Sequence, residues 1–398
     1  MSTTSNEVIV RFDNATFDFG PNKHILDEVD FSMRRGMKMT LMGQNGAGKS
    51  TIFKMIMGEL STKYGKIHVD KTLTIAIARQ VMTPEDKVMT VRDFFATQLG
   101  ERPYNLDGLI GQVLATVHLV APLDRVVSSF SGGQQARLLL AGALIREPDL
   151  LLLDEPTNNL DQAGIEHLTE FLTEYPKSVL VISHDADFLN AFTDGVYYLD
   201  VHTHKVEQYL GNYHTVVEEI SKRIERENMK NARLMKEAQA NKEQAEVFAH
   251  KGGKLRLVAK KMREKAEELE ESVVDVRRED RTIRAFDIPV QEGIGGEILR
   301  LDSVAIIRNY ERTDVPYEVS VRRGRHVLLE GPNGIGKSTL LESIVNGTAA
   351  GMHLAPGVKV GYYRQDFSNL DFDKSVRDVL IEACQDQLPE QDLRSRAA

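Results

Sequence analysis

Two stretches of the chain are apolar without interruption, Leu150 to Leu153 and Val179 to Ile182. A strand with one wet face alternates apolar and polar side chains, so unbroken runs mark strands buried on both faces, as in a parallel sheet covered by helices. With the β-rich runs "HILDEVDFSM" and "KMTLMG" and the helical stretches between them, they predict an α/β unit over residues 1–212. From 213 to 288 the pattern changes: glycine nearly vanishes, Lys, Arg, Glu and Ala dominate, and no strand pattern survives. Leu255, Val258, Met262, Ala266, Leu269, Val273 and Val276 recur at intervals of three and four, the signature of one face of a long helix. "HKGGK", His250 to Lys254, interrupts that pattern, and its glycine pair predicts the turn of an antiparallel helix pair whose first arm is Glu218 to Ala249. Over 289–398 the α/β style returns. There "RRGRHVLLEGPNGIGKSTLLESIVNG" repeats the order of "RRGMKMTLMGQNGAGKSTIFKMIMGE", an internal duplication.

The duplicated element carries chemistry. "GQNGAGKST" follows an apolar strand and precedes a helix, the context in which a phosphate loop works. Gly43, Gly46 and Gly48 let backbone N–H groups close around a β-phosphate, Lys49 neutralises β and γ oxygens, and the Ser50 hydroxyl suits Mg²⁺. Asn45 and Thr51 complete the candidate ATP-binding loop. The strand "LLLLDEP" ends in Asp154, suited to holding Mg²⁺, and Glu155, suited to polarising an attacking water. In "SFSGGQQARLLLAGALIREP", Ser131 can cap the helix that follows, while Gly132 and Gly133 leave its first N–H groups uncovered for an incoming phosphate. Its own domain already has a phosphate loop, so this surface is expected to face another nucleotide.

Composition narrows the setting. The 398 residues, 41% of them hydrophobic, suit a globular protein of two or three domains. No stretch approaches the roughly 20 apolar residues that cross a bilayer, and the first residues lack a secretion signal, so a cytoplasmic protein without membrane insertion is expected. The single cysteine, Cys384 in the helical stretch "VRDVLIEACQ", excludes an internal disulfide. A net charge of −9 argues against general coating of nucleic acid, though local patches can oppose the average.

In order along the chain, Gly43 to Thr51, Gln80 in "IARQ", Phe130 to Gln134, Leu150 to Glu155, Leu160-Asp161 in "NNLD" and His184 in "VISHD" resemble the motifs of the ATP-binding cassette superfamily. The resemblance implies a P-loop NTPase cassette in which Gln80 couples nucleotide to partner and joins Ser50 and Asp154 around Mg²⁺. It further implies that His184 contacts the γ-phosphate and that Ser131, Gly132, Gly133 and Gln134 close a nucleotide held by a second, head-to-tail cassette. Phe19 in "TFDFG" either stacks on adenine or is a core phenylalanine. Tandem cassettes joined by a long charged linker resemble the F subfamily, mostly translation factors. That implies an ATPase acting on the ribosome and tRNA through the linker hairpin. Lys251, Lys254, Arg256, Lys260, Lys261, Arg263 and Lys265, against only Glu264, concentrate positive charge beside the predicted turn, where RNA phosphates are the natural partner. A merely solvated helix is the plainer account of those lysines, and an ATP-binding subunit docking on a separate membrane protein is the alternative for the whole.

The second loop offers Gly331, Asn333, Gly334, Gly336, Lys337, Ser338 and Thr339 for ATP. By the same resemblance, Gln365 in "YYRQDF" would join Ser338 around Mg²⁺. No second signature, acidic strand or switch histidine follows. The expectation is therefore a partial second cassette, hard to stabilise alone, and weak ATPase activity unless two copies pair through their first cassettes. His202 and His204 in "DVHTHK" are expected in a turn rather than on a metal, and the methionines at 37, 39, 42, 55 and 57 as core filler.

Overall fold

The computed structural model describes residues 7–20, 23–100, 102–249, 255–271, 294–308, 311–332, 334–363, 371 and 374–384. They fall into two compact units, residues 1–286 with 332–334 and residues 287–331 with 335–398.

The first unit has two sheets. Strands β1 (Val8–Asp18), β2 (His24–Arg34) and β4 (Tyr64–Val69) make a small antiparallel sheet ordered β2-β1-β4. Strands β3 (Lys38–Gly43), β5 (Ile75–Ala78), β6 (Leu150–Asp154), β7 (Ser178–Ile182), β8 (Gly195–Leu199) and β9 (Val206–Leu210) make the large one, ordered β5-β6-β7-β3-β8-β9. It is parallel from β5 to β8 and antiparallel only at β9.

The unbroken apolar runs are explained by what lies on either side of this sheet. Leu150, Leu152, Leu180 and Ile182 point into a core shared with the small sheet and the helix Lys49–Ile56. Leu151, Leu153, Val179 and Val181, the alternate positions, point into a second core under the helices Val91–Leu99, Leu106–Thr116 and Gly132–Leu144. All eight are buried. Gly142 lets the last of these helices lie against its neighbour, since a Cβ there would meet the Phe94 ring at 2.9 Å. The flanking methionines fill core as expected, with Met39 and Met55 buried in the layer between the sheets.

The long helix Tyr213–Ala249 grows out of this unit three residues after β9 ends. Its 37 residues span about 55 Å at 1.5 Å per residue. Tyr213, Val216 and Ile220 at its base join the helix-side core. Arg223 ties the base to the sheet edge, pairing with the Glu207 carboxylate and donating to the Tyr209 hydroxyl oxygen at 2.8 Å. The helix Leu255–Glu271 packs along it.

The seam between them corrects the expected apolar face. Ala238 and Ala245 on one helix and Ala259 and Ala266 on the other are buried, each pair seven residues apart. Met262 and Leu269 are half-buried, but Leu255 and Val258 are exposed. Close approach of two helices favours the smallest side chain, so Ala259 takes the inner position that the Leu-Val spacing assigned to Val258. Val273, Val276 and the turn at 250–254 lie outside the described residues.

The second unit repeats the small sheet. Strands β10 (Glu297–Arg308), β11 (Glu311–Arg322) and β12 (Met352–Leu354) are antiparallel and ordered β11-β10-β12, matching β2-β1-β4. The unit also holds the helices Lys337–Val345 and Val376–Cys384, the latter carrying Cys384 in the helical stretch expected for it. The run Val327 to Leu329, the duplicate of β3, forms no strand; its three residues are 62%, 81% and 40% exposed. In the first unit β3 is held between β7 and β8. No such neighbours occur among the described residues of the second. Among the described residues no helix is long and apolar enough to cross a membrane.

Candidate functional site

The strand β3 delivers the chain into a tight loop that ends at the N-terminus of the helix Lys49–Ile56. Gly46 and Gly48 hold φ of 81° and 111°, the left-handed region in which a side chain is strained. At Gly48 there is also no room, since a Cβ would approach Ile25 Cγ2 to 2.2 Å. Lys49 folds back over the loop and donates from Nζ to the carbonyls of Gly43 at 2.7 Å and Gln44 at 3.0 Å. Burial holds this ammonium below the ordinary lysine range, with Glu155 and Asp154 pulling it back up.

β6 brings the acidic pair to the same place. The Ser50 hydroxyl donates to Asp154 Oδ2 at 3.4 Å. Burial raises the Asp154 carboxyl, while the Ser50 hydrogen bond and the Lys49 charge lower it. Glu155 turns out of the strand with φ 50°. Its Oε1 lies 3.3 Å from His184 Nε2, and its side chain is 11% exposed against 64% for the histidine. Burial raises the Glu155 carboxyl most, and His184 opposes that shift. The segments carrying the two residues are tied behind the pair: the hydroxyls of Thr157 and Ser183, both buried, lie 3.2 Å apart, and Ser183 Oγ accepts from the Asp185 N–H at 3.1 Å.

These groups line one cavity of ≈ 430 Å³, within the size range of nucleotide and drug-sized sites. Asn45, Gly46, Gly48, Lys49, Ser50, Thr51, Gln80, Asp154, Glu155 and His184 all border it, so these expected residues are brought together. Phe19 borders it as well and is 54% exposed, which corrects the core alternative for that ring. Phe17 meets it edge-on at 4.9 Å, and Lys23 Nζ lies 5.5 Å from its centroid. Lys23 and Asn158 are bordering residues that motif reading passed over. Asn158 sits inside "DEPTNNLD" beside the acidic pair, so proximity in sequence could have found it; Lys23 has no such signal.

Ser131, Gly132, Gly133 and Gln134 lie apart from this cavity, at the start of the helix Gly132–Leu144. They form a reciprocal cap: Ser131 Oγ accepts from the Gln134 N–H at 3.4 Å and Gln134 Oε1 accepts from the Ser131 N–H at 3.0 Å. This cap uses the N–H of Gln134, leaving those of Gly132 and Gly133 at the helix tip outside it.

The second loop has the same backbone form. Gly331, Gly334 and Gly336 hold φ of 147°, 83° and 106°, and Lys337 Nζ donates to the Gly331 carbonyl at 2.6 Å. Ser338 and Thr339 are exposed, and among the described residues Ser338 donates to no carboxylate. Asn333 and Gln365 lie outside the described residues.

On the linker, Lys251 and Lys254 lie outside the described residues, as does the Arg256 side chain. Lys260, Lys261, Arg263 and Lys265 are exposed. Their charge is less free than the count implies. Lys260 pairs with Glu264 at 3.7 Å, and Lys265 with Glu237 of the opposite helix at 3.3 Å. Near the surface turn, the Asp200 carboxylate accepts from the N–H groups of His202 and Thr203 at 2.8 and 3.2 Å. No metal-binding cluster occurs among the described residues.

Residues 26–158 match the ABC transporter family. The ATP-binding protein Uup of Buchnera aphidicola is 28% identical over 92% of this chain and 62% of its own length. The energy-dependent translational throttle protein EttA of Mycobacterium tuberculosis is 27% identical over 90% of this chain and 70% of its own length. Among solved structures, cbiO1 of Clostridium perfringens, part of an ABC transporter complex, covers 56% of this chain and 96% of its own with 24% identity and a TM-score of 0.46. The first unit thus has the α/β fold of a P-loop NTPase, and residues 26–158 within it carry the match to the ABC transporter family. The wider similarity, to Uup and EttA, runs along nine tenths of the chain. The chain spans less than two thirds of the length of the first relatives it matches.

Proposed function

We propose that this chain binds and hydrolyses MgATP at the first phosphate loop and uses the cycle to act on the ribosome and its tRNA through the linker hairpin. One observation carries the enzymatic part: around a single cavity, Ser50 faces Asp154 at 3.4 Å while Glu155 faces His184 at 3.3 Å. The loop N–H groups and Lys49 would hold the triphosphate, and the Ser50 hydroxyl and the Asp154 carboxylate would hold Mg²⁺. Bound there, the cation would neutralise charge on the phosphate oxygens. Glu155, deprotonated, takes the proton of the attacking water, and His184 fixes its carboxylate from the open side of the cavity. The exposed Phe19 face, with Lys23 beside it, suits stacking on adenine. The tip of the helix Gly132–Leu144 suits a phosphate presented by another cassette.

The translational part is supported by the name of the throttle protein EttA and by the basic face of the hairpin, where Lys261 and Arg263 have no acidic partner among the described residues. Its contacts would be to phosphate, independent of base sequence. The test is a pair of measurements on the full chain. Glu155→Gln is expected to keep binding a fluorescent ATP analogue while turnover falls about 10²- to 10⁴-fold. In MgATP the same variant should co-sediment with ribosomes, and changing Lys260, Lys261 and Arg263 to Glu should release it. Turnover at the parent rate would sink the assignment of Glu155, and no ribosome association in any nucleotide state would sink the translational reading.

A further inference from the structure

The helix Gly132–Leu144 meets the turn that follows Glu155 at two places. At its first turn, a Cβ added to Gly132 would lie 3.8 Å from the side-chain carboxamide of Asn159, a residue held at φ 66°. About one and a half turns further on, Arg137 reaches two other elements at once. Its Nη1 donates to the His118 carbonyl at 3.0 Å and its Nη2 to Asp161 Oδ1 at 3.2 Å. The two side chains of that ion pair are only 23% and 21% exposed.

The junction is built from both sides. Asp161 Oδ1 also accepts from the Gly164 N–H at 3.0 Å, capping the helix Gln162–Glu174. A Cβ on Gly164 would approach that oxygen to 2.9 Å and Arg137 Nη2 to 3.1 Å, so the space is full. His118 adopts φ 49°, and its ring stacks on His167 of the same helix with centroids 3.5 Å apart. A cavity of ≈ 30 Å³, enough for a water molecule, is bordered by Arg137, His167, Asn158, Gln80 and Glu155, so the junction abuts the candidate catalytic groups. A guanidinium is permanently charged and planar, and its separate N–H groups serve two acceptors in fixed directions, which a lysine cannot.

We propose that Arg137 is a positioning residue that registers the tip of the helix Gly132–Leu144 against the Asn158–Asp161 turn, so that the Gly132 and Gly133 N–H groups and the Asn159 carboxamide meet a phosphate as one edge. The proposal rests on the ATPase reading above, but its physical core can be measured without turnover. In the full chain without nucleotide, amide hydrogen exchange in Arg137→Ala should rise about ten- to hundredfold both at 134–135, whose N–H groups Ser131 holds, and in 158–165, the loss that follows from removing a hydrogen bond between charged groups. The unfolding midpoint should move by only a few degrees. Gly164→Ala, which crowds the junction from the other side, should loosen the same two segments. Affinity for a fluorescent ATP analogue should stay within about twofold, because the first loop is untouched, while kcat falls about ten- to hundredfold at unchanged KM. Arg137→Lys should not recover it, whereas guanidinium ion added at millimolar level to Arg137→Ala should. Exchange unchanged in both segments, or a parent-like kcat in Arg137→Ala, overturns the proposal. If the parent itself turns over no ATP, the functional reading fails, and the exchange arm still decides the role of Arg137.

Discussion

At the first phosphate loop Lys49 reaches the Gly43 carbonyl at 2.7 Å; at the second Lys337 reaches that of Gly331 at 2.6 Å. In both, glycines in the left-handed region turn the chain into a helix whose first residue is that lysine. The surroundings diverge. The first loop follows β3, which is held between β7 and β8, has Thr51 buried and faces Asp154, Glu155 and His184. The second follows the exposed run Val327 to Leu329, has Thr339 exposed and lacks a hydrogen bond from Ser338 to a carboxylate among the described residues. The difference teaches that loop shape is local, set by glycine φ and helix start, whereas the chemical site is assembled by strands more than a hundred residues away in sequence.

Four measurements would break or sharpen this contrast. The largest effect is expected in packing: Leu152→Ala, in the buried β6, should cost about 2–5 kcal/mol in denaturant unfolding, and Leu328→Ala, on the exposed duplicate run, under about 0.5 kcal/mol. Equal costs would mean that the second run is packed after all. Next comes ligand binding. Lys49→Ala should weaken MgATP at least about tenfold in a titration with a fluorescent analogue, and Lys337→Ala by less than about threefold, because the first lysine borders the cavity that Asp154 and Glu155 also line. If the two variants bind alike, the loops are equivalent as nucleotide sites.

The third measurement compares glycines. Gly48→Ala would force a Cβ to 2.2 Å from Ile25 Cγ2, while at Gly336 the nearest atom is Ile307 Cγ1 at 3.3 Å. Both positions share the penalty of positive φ, about 1–2 kcal/mol, so the difference isolates crowding, and Gly48→Ala should show the lower thermal midpoint by several degrees. The smallest effect is electrostatic and confined to the first unit. The Thr74 N–H bound to Asp149 lowers the pKa of its carboxyl, with Lys177 assisting. A carboxyl with a depressed folded pKa contributes stability that is present above its unfolded value and lost as pH falls through the folded one. Asp149→Asn should therefore lower stability slightly at neutral pH and converge with the parent as pH falls below the ordinary carboxylate range. A constant difference across that range would show that the carboxylate charge is not what matters there.

Some of the architecture needed no coordinates. Unbroken Leu150 to Leu153 and Val179 to Ile182 announced strands covered on both faces, because only a sheet between two apolar layers leaves no position for a polar side chain. Glycine spacing announced both loops, since backbone that must take positive φ admits few other residues. Three things were decided only by the fold. The seam of the linker helices runs through Ala238, Ala245 and Ala259 as well as the expected Ala266, because helix separation, unseen in a hydrophobicity pattern, selects for size. Phe19 faces the cavity instead of the core, because which side of β1's end is covered depends on the sheet packed beneath it. Glu155 meets His184, and Arg137 meets Asp161 and His118, because parallel strands and their crossovers bring together groups 19 to 29 residues apart whose approach no local pattern encodes.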